Sequence, residues 1–141
     1  MKRTLSALLA LAVSATLVTA VHAQGGCSDA TLAGNYPFDL TGASAPGHST
    51  KGMNNVPTAA VGVFTFDGAG GLWLTYTVVF NGHASTASDT GNYNVNSDCT
   101  GTLTDTTISV HFNIVTVGGG SEIFGIETDA GFTDTFDAKK Q

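Results

Sequence analysis

The chain has 141 residues and a formal net charge of −6, with five Lys or Arg against eleven Asp or Glu. That length suits one domain with one core. The acidic balance argues against recognition of nucleic-acid phosphates or of anionic membrane surfaces.

The first residues read as an export signal. Lys2 and Arg3 precede an apolar stretch over 5–17, and Val21-His22-Ala23 places small residues where a signal peptidase cuts. The run is too short and too rich in Ala, Ser and Thr for a retained membrane span. A lipoprotein signal is the rival because Cys27 follows closely, but Gln24 stands where that signal requires an aliphatic residue. The expectation is a signal peptide over 1–23, cut after Ala23, and a secreted or periplasmic single domain over 24–141. Removing 23 of 141 residues leaves 118, carrying three lysines, no arginine and all eleven acids, a net charge of −8.

Cys27 and Cys99 are the only cysteines. In an oxidising compartment they have one possible pairing, Cys27–Cys99. A metal site is the alternative, and nothing nearby completes a ligand set.

The chain after the leader lacks any helical apolar period. It shows two-residue alternation interrupted by glycine turns. Tyr36, Phe38 and Leu40 mark a first strand, whose Pro37 suggests an edge or a bulge. A second strand covers 59–66 and stops at Asp67-Gly68-Ala69-Gly70-Gly71. The third, 72–80, points Leu72, Leu74, Tyr76, Val78 and Phe80 one way and Trp73, Thr75, Thr77 and Val79 the other. Asn81-Gly82 predicts a tight hairpin, because a type I′ turn needs two positive φ angles. The return strand is weak at Ala84-Ser85-Thr86 and firm over 91–95. Short strands follow at 100–104 and 107–117, the latter with Ile108, Val110, Phe112 and Ile114 on one face. Two more are expected at 121–128 and 132–137, then a polar tail over 138–141.

Eight strands joined mostly by tight turns predict an all-β antiparallel meander closing into a small barrel, with a β-sandwich as the alternative. The one long connection, about 42–57, reads as a lid or a flap. The segments V-G-V-F-T-F-D-G-A-G-G, N-G, G-N-Y-N-V-N-S-D-C-T-G-T-L-T and E-I-F-G-I-E-T-D-A-G, with a G-x-Y near the start, resemble small secreted bacterial proteins of unassigned function. Those are pictured as calycin-like barrels, similar in outline to the allene oxide cyclase barrel. The likeness spans about 27–131. It implies fold more than activity and brings no catalytic residues with it.

Several motifs carry chemistry only weakly. Asp67-Gly68-Ala69-Gly70-Gly71 has one carboxylate where calcium needs many oxygens, and no lysine or following helix for phosphate. His48, His83 and His111 are scattered without zinc spacing, so no metal is expected. A Ser-His-Asp hydrolase lacks its G-x-S-x-G elbow. Asp134 is the sharper candidate, since it shares a strand face with Phe132 and Phe136 and would act as an acid or base if that face points inward. Tyr76 is the second catalytic candidate, and Tyr36, Tyr76 and Tyr93 are candidates for orienting a ligand in an apolar cavity. The three tyrosines also fit as core residues with satisfied hydroxyls, and a bulge would turn Asp134 outward. Trp73, on the opposite face, is a candidate anchor for a partner or a sugar.

The expected function is therefore an exported barrel that binds a small apolar ligand or serves as a stable extracellular component, without a cofactor. A cofactor-free isomerase or cyclase is the alternative that the resemblance implies. Surface adhesion or assembly is a third. Nothing in the sequence indicates oligomeric state.

Overall fold

A computed structural model describes residues 26–45 and 55–141. The predicted signal peptide, His48, Lys51 and most of the long connection lie outside the described residues. Within them the chain forms eight strands: β1 (Gly34–Ser44), β2 (Val56–Phe66), β3 (Gly71–Phe80), β4 (His83–Val95), β5 (Thr100–Asp105), β6 (Val110–Val117), β7 (Glu122–Glu127) and β8 (Thr135–Lys139). Each pairs antiparallel with the next, and β8 returns to β1 to close a barrel. Eight strands enclose an interior just wide enough to be filled by side chains or to hold one small ligand.

The alternation sets which residues enter that interior. Along β3, Leu72 and Leu74 are buried, Tyr76, Val78 and Phe80 continue the same face, and Trp73 is exposed. Asn81 and Gly82 have φ of 49° and 78°, the pair of positive angles that a two-residue I′ hairpin requires.

Several boundaries differ from the sequence reading. β1 and β2 run to Ser44 and from Val56, paired throughout, so the long connection is shorter than 42–57. Because the barrel closes, Pro37 occupies no edge. It lies next to the point where the β1–β8 ladder begins at Phe38, the place where a missing N–H costs least. β4 is one continuous strand, its weak half held by pairing with β3. Ile108 is not in a strand: the Asp105 carboxylate accepts the Thr107 and Ile108 N–H groups (2.9 and 3.3 Å) and turns the chain before β6. β8 begins at Thr135 and includes Ala138, fully buried, where a polar tail was expected.

The two ends of the barrel differ. At the end where β1 begins, a 3-10 turn (Asp29–Leu32) plugs the opening with Leu32, which is fully buried. The plug is fastened covalently and by hydrogen bonds. The Cys27–Cys99 disulfide ties it to the β4–β5 turn, and Asp29 Oδ1 accepts the Val95 N–H at 2.7 Å. Above it lie Tyr36, Phe66 and Tyr93, with edge-on ring pairs at 5.3 and 4.9 Å between centroids. A second aromatic layer, Phe38, Phe64, Phe112 and Phe136, crosses the middle of the barrel. Phe38 and Phe64 stack at 4.2 Å. Phe136 lies over Gly125, its partner on β7, where any Cβ would strike the ring.

Candidate functional site

Beyond the Phe38–Phe64–Phe112 layer the described residues leave the interior unfilled. A cavity of about 280 Å³ extends from these rings toward the far end of the barrel, where Phe80, Ile108 and Phe132 stand at its rim. Its walls are mostly aliphatic and aromatic: Leu40, Ala60, Leu74, Val78, Leu103 and Val110 join the phenylalanines. For scale, a dry apolar cavity of about 150 Å³ admits benzene.

Among the described residues, Tyr76, Asp105, Glu127 and Asp134 interrupt the lining, with Thr58 the remaining polar side chain. They arrive by the same inward alternation as the apolar residues and form two groups. In the first, the Tyr76 hydroxyl donates to Asp89 Oδ2 at 2.7 Å, and Asp89 in turn faces Asp105. Burial, and then the hydrogen bond to Asp89, raises the Tyr76 pKa far above its ordinary value, so the hydroxyl stays a donor. Burial also raises the Asp105 pKa, with the Asp89 charge adding to it and the Thr107 and Ile108 amides opposing it.

The second group is the Glu127–Asp134 pair. The Glu127 N–H donates to the Asp134 carbonyl at 2.8 Å, holding the two residues side by side where β7 ends and β8 approaches. Both are buried, Glu127 at 8 % and Asp134 at 6 % exposure. Burial, followed by the charges of Asp134 and Asp129, pushes the Glu127 carboxyl up to about 7. Burial raises Asp134 too, against hydrogen bonds from Glu127 and the Ala43 amide. Two carboxyls in contact cannot both ionise cheaply, so the pair shares a proton near neutral pH. Asp134 Oδ1 remains enclosed without a hydrogen-bond partner among the described residues.

Glycines make room for two of these side chains. Asp134 packs on Gly42 of β1, where a Cβ would collide with its Oδ1 and Cα, and Tyr76 lies opposite Gly62 of β2.

Of the sequence candidates, Asp134 and Tyr76 therefore face the cavity, but in separate groups with different partners. Tyr36 and Tyr93 do not line it. They sit in the plugged end with their hydroxyls already engaged, Tyr36 donating to the Gly120 carbonyl and Tyr93 to the Asp29 carbonyl at 3.0 Å. Their inward direction followed the alternation correctly, but the plug occupies that end. His83 is exposed at the start of β4, and His111 is tied outside the barrel to Asp129, Nδ1 to Oδ1 at 2.9 Å. Among the described residues no three His, Cys, Asp or Glu side chains cluster as metal ligands. Trp73 is 52 % exposed on the outer face between Thr65 and Thr90.

Glu127, Asp89 and Asp105 were missed from the sequence. The signal was present, because each is an even number of residues from a buried neighbour on its own strand: Ile123, Tyr93 and Leu103. Along β7 it was masked by Phe124 and Ile126, which look like the inward face and are 46 % and 53 % exposed. Compared with protein-family models, curated proteins and solved structures, the chain matches none.

Proposed function

We propose that this protein is an exported barrel that binds one small, largely apolar molecule in its interior. The observation that carries the reading is the cavity itself: about 280 Å³, apolar on most of its wall, with a few polar groups in two clusters. That composition is typical of small-molecule sites, where apolar area gives affinity and sparse polar groups fix orientation. The disulfide between the plug and the barrel suits an oxidising compartment, as does the export signal read over 1–23. Among the described residues no helix is long and apolar enough to cross a membrane.

Calorimetric titration with 2-phenylethanol tests this. The expected result is one site per barrel with a Kd of about 1 mM or lower, a standard binding free energy of about −4 kcal/mol or more favourable. Ala60→Phe, which places a ring inside the cavity, should abolish it while the barrel stays folded. Undetectable binding to the wild type, or equal binding to both proteins, sinks the reading.

The Glu127–Asp134 pair favours a second reading, proton-transfer chemistry of the isomerase or cyclase kind. A carboxyl that titrates near neutral pH within an apolar cavity is suited to giving and taking a proton. Bound ligand recovered from D2O with no deuterium incorporated counts against it.

A further inference from the structure

Among the described residues, the interior of the barrel carries acids and no counter-charge. Asp105, Glu127 and Asp134 line the cavity, with Asp89 directly behind Tyr76. Among the described residues the cations are Lys139 and Lys140. Lys139 lies outside, bound to Glu122 at 3.2 Å, and Lys140 stands 5.8 Å from the Tyr36 ring at the plugged end. An enclosed carboxyl oxygen without a donor is costly, and natural interiors supply one. Asp134 Oδ1, packed against Gly42, finds none among the described residues.

We propose that the molecule bound in this cavity carries a protonated amine, whose N–H donors seat against Asp134 and Glu127 while its apolar body lies on the Phe38–Phe64–Phe112 layer. The inference rests on the cavity-binding reading above and adds the chemical class of the ligand.

Three features select an organic ammonium over other occupants. A metal ion would require a cluster of ligands that the described residues do not form. A carboxylate or phosphate ligand would add negative charge beside four acids. A neutral ligand would leave the pair's charge uncompensated, whereas a monocation balances the single charge left when two carboxyls share one proton. The amine, unlike the alcohol, therefore gains a charge-assisted hydrogen bond inside a cavity of low dielectric.

The test compares three probes that share one phenylethyl body on the wild-type protein in high salt, where surface attraction is screened. These are 2-phenylethylamine, 2-phenylethanol and 3-phenylpropionate. The expected order is amine tightest, by about tenfold or more over the alcohol, and carboxylate weakest. In the double variant Glu127→Gln/Asp134→Asn the amine and alcohol should bind within about twofold of each other. If the alcohol binds and the amine binds equally or less well, the amine assignment is wrong and the cavity reading stands. If none of the three binds, the cavity reading has failed and the assignment with it. Retention of the full amine preference in the double variant would also overturn the proposal, because the preference would then arise elsewhere.

Discussion

Lowering the charge at Glu127 should make the barrel more stable at alkaline pH, which is unusual for removing a native carboxylate. The ordinary glutamate pKa of 4.5 is raised to about 7 in the fold. Between those values the native state binds more protons than the unfolded chain, so stability falls as pH rises through this window and levels off above it. At 1.36 kcal/mol per unit, the interval amounts to about 3 kcal/mol. Raised values at Asp134 and Asp105 act in the same direction. The opposing groups, Asp98 and Asp129, have lowered values, so what they contribute is lost only as pH falls below about 4. Urea unfolding at pH 4.5, 6 and 8 measures the effect. Wild type should be most stable near pH 4.5 and lose up to about 3 kcal/mol by pH 8. Glu127→Gln should be flatter and more stable than wild type at pH 8, with the two similar at pH 4.5. A lost hydrogen bond costs only about 1 kcal/mol, too little to reverse that sign. Wild-type stability that rises from pH 5 to 8, or a Glu127→Gln protein weaker than wild type at pH 8, would refute the reasoning.

Other substitutions probe the frame. Replacing Cys27 and Cys99 by serine opens a 72-residue separation and should cost about 4 kcal/mol in chemical denaturation, while far-ultraviolet spectra keep their β-sheet form. Phe64→Ala removes a ring that contacts Phe38, Phe66 and Phe136 and should cost about 3–5 kcal/mol by the same measurement. Gly42→Ala should cost about 1–3 kcal/mol and shift the Asp134 side-chain resonances, since the added methyl falls on that residue. Trp73→Ala, at an outer-face position, should change stability by no more than about 0.5 kcal/mol despite the size of the ring.

Much of the barrel is legible in the sequence because two-residue alternation and glycine turns are local signals. The third strand and the Asn81-Gly82 turn show this, as their directions follow from a handful of neighbouring residues. The disulfide was legible for another reason, since the chain's two cysteines leave one pairing. What could not be read locally depends on residues far apart in sequence. Tyr36 and Tyr93 look like ligand contacts until the Asp29–Leu32 plug is placed beneath them. The Glu127–Asp134 pair appears only when β7 and the segment before β8 come together, with Gly42 of β1 leaving the space. Ile108 reads as core because alternation says nothing of the Asp105 carboxylate that caps the turn.

The central claim is that the interior of this barrel is a ligand site. Methyl-resolved NMR during a 2-phenylethanol titration tests it most directly. A ligand inside the barrel gives saturable shifts, and cross-relaxation from its ring, at Ala60, Leu74, Val78 and Val110, which line the cavity. Shifts confined to the exposed methyls of Val61, Val115 and Ile126, with none inside, would contradict it.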